Sequence, residues 1–230
     1  MRQTLRTWPI CVIIYLVLCS IAAGGAARVH VITFGKWTTV QWMPGTGAEN
    51  EKPLPLKIRA LIVDARVKEY VIGLPHDVTD RLFVVRRAFR VNDSLPDDTS
   101  SHWQWQRGGW MLVDRVTGRV APINLPDMDV YYSAGSWYRD YIAYCGVSDD
   151  GKKIYAIVAQ LSRRKPVLKK VLSESGVADD AAPDSACPAP SWQRNPVRVS
   201  FESPGTARQT FAIRGHVVDL VDDAEEEDEK

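Results

Sequence analysis

The sequence predicts an all-β fold of antiparallel sheets. Three observations carry this. Short β-branched and aromatic runs recur along the chain, clusters of Gly, Pro, Asn and Asp separate them, and helical spacing of apolar residues is nearly absent. The runs, in order, are Val29–Phe34, Leu56–Val63, Leu82–Val85, Trp110–Val113, Tyr141–Tyr144 and Ile154–Val158. Leu56–Val63 alternates and then turns continuously apolar, as a strand does when it passes from a half-buried to a fully buried setting. Val167–Ser173 is the best helical candidate, and a strand explains it equally well. Asp150-Gly151 between Val147 and Ile154 predicts a hairpin joining Tyr141–Val147 to Lys153–Gln160, because Asp-Gly tolerates the positive φ of tight primed turns. Thr117-Gly118 plays the same part between Val113 and Val120.

Ahead of these runs stands a targeting segment. Arg2 and Arg6 give a positive start, Ile10–Ala23 is apolar, and Ala22–Ala27 offers small residues for cleavage before Arg28. Residues 1–27 therefore read as a secretory signal peptide, with cleavage near Ala27. The alternatives are an uncleaved anchor formed by residues 10–23, which is short for a bilayer, and a lipoprotein cleaved before Cys19, where Leu18 is too large for such a site. The expected organisation is a signal at 1–27, one all-β domain at 28–221 and an acidic disordered tail at 222–230. The location is periplasmic or secreted, with no membrane association after cleavage.

Charge and cysteines narrow the partners. Of 29 lysines and arginines, two fall in residues 1–27 and one in the tail; of 28 acids, seven fall in the tail. The body thus holds 26 cations against 21 acids, about +5, with arginines scattered along strands, which is no nucleic-acid footprint. Removing the signal takes Cys11 and Cys19 with it and leaves Cys145 and Cys187, an even count in an oxidising compartment. A Cys145–Cys187 disulfide is expected, pinning the Pro/Ala/Asp-rich stretch 173–196 to the sheet, with roughly 4 kcal/mol of chain-entropy stabilisation. Without a C-x-x-C pair, neither thiol exchange nor a structural zinc site is expected.

A loose repeat is visible. Leu61-Ile62-Val63-Asp64, Gly73-Leu74-Pro75 and a run ending Val91-Asn92-Asp93 are matched about 50 residues later by Met111-Leu112-Val113-Asp114, Asn124-Leu125-Pro126 and Val147-Ser148-Asp149. Periods of this length with several short strands are the habit of propeller blades. Trp110–Arg119 resembles the outer strand and turn of a blade in the WD-like β-propeller repeats of exported bacterial proteins. Ser148-Asp149-Asp150-Gly151-Lys152 resembles their S-P-D-G-K hairpin, with Asp149 where proline is usual. The resemblance covers residues 56–172. It implies blade-type sheets in a partial or small β-propeller, with an open β-sandwich as the alternative, and a binding scaffold without fixed chemistry.

Motifs for catalysis are missing. Gly135-Ser136-Trp137 lacks the flanks of a nucleophile elbow, no phosphate-cradling glycine loop occurs, and His30, His76, His102 and His216 have no ligand spacing. No cofactor and no metal are expected. Asp127 with Asp129, and Asp149 with Asp150, fit calcium or acid–base work, or turn capping through local backbone bonds. Aromatics are the unusual signal: seven tryptophans follow residue 27, at 37, 42, 103, 105, 110, 137 and 192. Trp103 and Trp105 share one face of a strand with Arg107. That face is either core or a stacking platform for a protein or glycan ligand, and Arg139 in Trp137-Tyr138-Arg139-Asp140 is the second contributor. Two function classes stay open: an exported, non-catalytic binding module, and a small secreted glycan hydrolase using Asp127, Asp129 or Asp140.

Overall fold

The computed structural model describes residues 29–43, 52–94, 96–97, 99–174, 188–203, 205–214 and 217–221. The expected signal, Cys187, His216 and the acidic tail lie outside them. Among the described residues the chain forms strands and no helix, so the all-β antiparallel expectation stands. The strands are β1 (Ile32–Phe34), β2 (Thr38–Trp42), β3 (Leu54–Val63), β4 (Arg66–Asp77), β5 (Leu82–Asn92), β6 (Trp103–Asp114) and β7 (Val120–Pro122), followed by β8 (Gly135–Tyr138), β9 (Tyr141–Val147), β10 (Ile154–Gln160) and β11 (Leu168–Ser173), then β12 (Ser191–Gln193), β13 (Arg198–Phe201), β14 (Gln209–Arg214) and β15 (Val217–Val221). They make three sheets.

The first sheet is a meander from β2 to β6 that closes on itself. Each neighbour is antiparallel, so the fifth strand points the same way as the first, and β6 meets β2 in parallel through Trp42 and Trp105. β1 continues the line of β2 along β3, and β7 adds to the far half of β6. Alternation along β3 divides its apolar residues between two cores. Leu56 and Ile58 join Trp42 and Ala88 on one face; Leu61 joins Val71, Phe83, Val85, Met111 and Val113 on the other.

The second sheet runs β8-β9-β10-β11 and the third β12-β13-β14-β15, each a four-stranded antiparallel meander. The second is the middle layer. One face packs Cys145, Ala156, Val158 and Leu172 against Val199, Phe201, Phe211 and Ile213 of the third sheet. The other face packs Ile142, Tyr144, Ile157 and Ala159 against Trp110 of the first. Burial on both faces explains why Tyr141–Cys145 and Ile154–Val158 are continuously apolar rather than alternating. The Asp150-Gly151 hairpin is present: β9 and β10 pair from Val147↔Ile154 to Tyr141↔Gln160, and Gly151 has φ of 70°. The 167–173 stretch is strand β11.

The 50-residue spacing does not map onto repeated units of structure. Its first copy spans β3 to β5 of one sheet, while its second starts in β6 and ends on β9 of another. What the copies share is local. Asp64 and Asp114 each stand at the end of a strand, but their bonds differ: Asp64 Oδ1 accepts from the Val31 N–H (3.1 Å), tying its turn to the segment ahead of β1, whereas Asp114 Oδ1 accepts from the Val116 N–H (2.8 Å) within its own turn.

The β3–β4 turn carries a strained residue. Val63 pairs with Arg66 across Asp64 and Ala65, both at positive φ (51° and 62°), so this is a two-residue primed hairpin turn in which glycine is preferred at the second place. Ala65→Gly is expected to raise unfolding free energy by about 1 kcal/mol, the usual cost of a Cβ at left-handed φ, partly offset by glycine's unfolded-state entropy. Urea titration reads it, and a less stable variant would show that Ala65 is not strained.

Candidate functional site

The three sheets meet where the end of β4, the β8–β9 turn and the end of β12 converge. β8 and β9 are joined by Arg139 and Asp140 alone, between the paired Tyr138 and Tyr141. So short a turn forces φ of 54° on Arg139, an uncommon place for a long side chain. The turn is held from β4: His76 Nε2 donates to the Arg139 carbonyl at 2.8 Å, which places the proton of neutral His76 on Nε2. The His76 ring also stacks on Trp137 (5.9 Å, 22°), and Trp137 meets Trp110 edge to face (5.4 Å, 74°). From the third sheet, Trp192 stacks on Tyr138 (5.4 Å, 28°) and donates its indole N–H to the Ser136 carbonyl at 3.1 Å.

These contacts frame an open cleft of about 530 Å³ lined by His76, Trp137, Tyr138, Arg139, Arg194 and Asn195 among others. Its charge is uneven. The Arg139 guanidinium lies over the Tyr138 ring at 5.4 Å. Neither Arg139 nor Arg194 makes an ion pair among the described residues, and both are exposed. The carboxylate of the rim, Asp77, is taken by Arg115 at 2.6 Å. Two uncompensated guanidiniums beside aromatic walls can hold an anionic group bidentately while a planar or apolar part stacks.

The other expected recognition residues lie elsewhere. Trp103, Trp105 and Arg107 share a face of β6, as alternation requires, but they differ in depth. Trp103 is 58% exposed, Trp105 is half-buried beside Trp42 and Ala88, and Arg107 is buried at 8% with its guanidinium 5.2 Å from the Trp42 ring. The exposed cation there is Arg90, cross-strand from Trp105 and 5.6 Å from both the Trp103 and Trp105 rings. Arg107 is drawn inward because the first sheet closes at Trp42–Trp105, putting its end of β6 against the core. The β5–β6 pairing carried no sequence signal that would have singled out Arg90.

Four of the carboxylates singled out, Asp127, Asp129, Asp140 and Asp150, are engaged in structure. Asp127 pairs with Lys169 at 2.8 Å. Asp129 Oδ1 accepts from the Tyr131 and Tyr132 N–H groups (2.7 and 3.1 Å). Asp140 Oδ2 accepts from the Gln160 amide at 2.8 Å, and Asp150 Oδ1 accepts from the Ser148 hydroxyl and the Lys152 N–H, bonds that hold its pKa below the ordinary range. Asp129 and Asp150 thus cap their own turns, whereas Asp127 and Asp140 are held by side chains of β11 and β10. Among the described residues no group of three His, Cys, Asp or Glu side chains could hold a metal ion. Cys145 is buried on β9, whereas Cys187 falls outside the described residues.

Comparison with known proteins adds nothing to this geometry. No family model, curated protein or solved structure matches the chain.

Proposed function

We propose that the chain is an exported, non-catalytic binding module, and that the cleft around Arg139 takes a ligand in which a negative group adjoins a planar or apolar part. The observation that carries this is the pair of guanidiniums, Arg139 and Arg194, neither in an ion pair among the described residues and both beside the Trp137 and Tyr138 rings. The positive φ of Arg139 supports it as well. A strained backbone held by a partner from another sheet is the kind of local cost found at functional positions. An acidic oligosaccharide or an acidic peptide has the required chemistry. The two four-stranded meanders support the blade-type reading of the fold. Export rests on residues 1–27 of the sequence. The disulfide between Cys145 and Cys187 is part of the same proposal, supported by the even count of cysteines after residue 27.

Isothermal titration with oligogalacturonates tests the site, with neutral cello-oligosaccharides as control. Arg139→Gly and Arg194→Ala are each expected to weaken acidic-ligand binding 10- to 100-fold, the worth of one charge-assisted contact. Arg139→Gly should melt no lower than the parent, since glycine suits that φ. Equal binding by both variants removes the cleft from the proposal. Release of shorter oligosaccharides, lost in Asp127→Asn or Asp140→Asn, would replace this reading by the hydrolase.

A further inference from the structure

A second site lies on the first sheet, sharing no lining residue with the Arg139 cleft. Trp37, in the bend between β1 and β2, Thr39 on β2, Lys57 on β3 and Ile72 and Gly73 on β4 line a pocket of about 470 Å³. The register makes it one surface: Thr39 pairs with Lys57, and Ile58 with Ile72, which brings Gly73 beside Lys57. Gly73 sits at the irregularity in the β4–β5 pairing, and a side chain there would meet nothing within 4 Å, so the pocket stays open on that side. Trp37 is 45% exposed, which leaves part of its indole available for stacking.

One pleat along β3 from Lys57, on the same face, stands Arg59. Its guanidinium is sandwiched between the Phe34 ring (4.1 Å) and the Trp37 ring (4.4 Å), so Trp37 is shared between Arg59 and the pocket. Arg59 makes no ion pair or hydrogen bond among the described residues, and its Nε is buried without an acceptor. Lys57 likewise has no acidic partner there. Desolvation lowers the pKa of Arg59, as expected for a cation given aromatic faces but no anion. Packing alone gives no reason to place two uncompensated cations beside a half-open tryptophan, and a buried donor without an acceptor costs stability.

We infer that the pocket lined by Trp37, Thr39 and Lys57, with Arg59 beside it against Trp37, is a second ligand site, for a monoanionic or dianionic group carried on an aromatic or similarly flat apolar body. The flat part stacks on Trp37 and meets Ile72, Lys57 and Arg59 neutralise the anion, and the Thr39 hydroxyl donates to it. The aromatic sandwich pre-organises Arg59, so little side-chain freedom is lost on binding.

Phenyl phosphate, inorganic phosphate and phenol, each titrated by calorimetry into the full mature chain, test this. Phenyl phosphate is expected to bind at least tenfold more tightly than either part. Lys57→Ala is expected to weaken it about tenfold, and Arg59→Met by at least as much. Because Arg59→Met also removes packing on Phe34, Lys57→Ala serves as the variant free of folding effects. Trp37→Phe should reduce affinity for phenyl phosphate while leaving that for inorganic phosphate unchanged. The inference is overturned by no binding of phenyl phosphate at millimolar concentration, by phenol binding as tightly as phenyl phosphate, or by Lys57→Ala binding as the parent does.

Discussion

Phe211→Ala is expected to lower the unfolding free energy by about 3–5 kcal/mol, the cost of removing a buried aromatic ring and leaving its cavity. Phe211 is 1% exposed on β14, at the centre of the layer between the second and third sheets. Its ring meets Phe201 edge to face (5.9 Å, 75°), and Lys170 of β11 reaches over it at 5.7 Å. The third sheet has four short strands and one apolar face, too little to persist without the second. Loosening this layer also reaches the cleft, because Trp192 and Arg194 arrive on the third sheet. The melting temperature should fall by about 10 °C, and ligand binding at the Arg139 cleft should weaken in parallel. Phe211→Leu keeps most of the volume and should cost less than about 1.5 kcal/mol. A Phe211→Ala protein as stable as the parent would mean that the two sheets do not share a core.

Strands β1, β3, β5, β6, β9, β10 and β11 of the first two sheets are legible because their chemistry is local, whereas β2, β4, β7 and β8 carry no comparable run. β-branched and aromatic runs, Asp-Gly at 150–151 and Thr-Gly at 117–118 each act over a few residues, and each became a strand or turn near its expected place. The third sheet carries no turn signal of that kind, although Val197–Phe201 and Thr210–Ile213 are apolar enough to be strands. Their partners are each other, and a run of three or four residues such as Ser191–Gln193 has no period of its own. Closure of the first sheet was equally invisible, since it rests on one pairing between Trp42 and Trp105, more than sixty positions apart. That contact decided the fate of Arg107. Alternation placed it on the same face as Trp103, but no sequence rule says at which residue a strand passes from solvent into core.

The cleft shows the same division. Arg139 stood out beside two aromatics, whereas His76 comes from β4 and Arg194 and Asn195 from the turn after β12, with no motif to link them. The aspartates went the other way. Their spacing suggested chemistry, and their actual partners are backbone N–H groups of their own loops for Asp129 and Asp150 and side chains of β11 and β10 for Asp127 and Asp140.

Gly146→Val is expected to destabilise the protein by about 3 kcal/mol, at the upper end of overpacking costs. A Cβ at Gly146 would meet the end of Ile157, which can rotate, and Asp127, which cannot: its Cβ and its carbonyl oxygen both lie 3.1 Å away. That carbonyl accepts the Val147 N–H at 2.9 Å, so it cannot withdraw without breaking the bond that ties the 126–129 loop to β9. Asp127 is itself at φ of 54°, and its carboxylate is fixed by Lys169 of β11. Nearby, the Tyr144 hydroxyl donates to the Pro126 carbonyl at 2.7 Å, and burial pushes that phenol's pKa upward, so it stays a neutral donor. Displacing the loop therefore breaks several bonds together. Gly151→Val makes the contrast. There the added atoms meet nothing within 4 Å and only the φ of 70° is strained, so a cost of about 1–2 kcal/mol is expected. Urea denaturation of both variants separates the two mechanisms. If Gly146→Val costs no more than Gly151→Val, the loop is not packed on β9, and Asp127 and Asp129 become available again for chemistry.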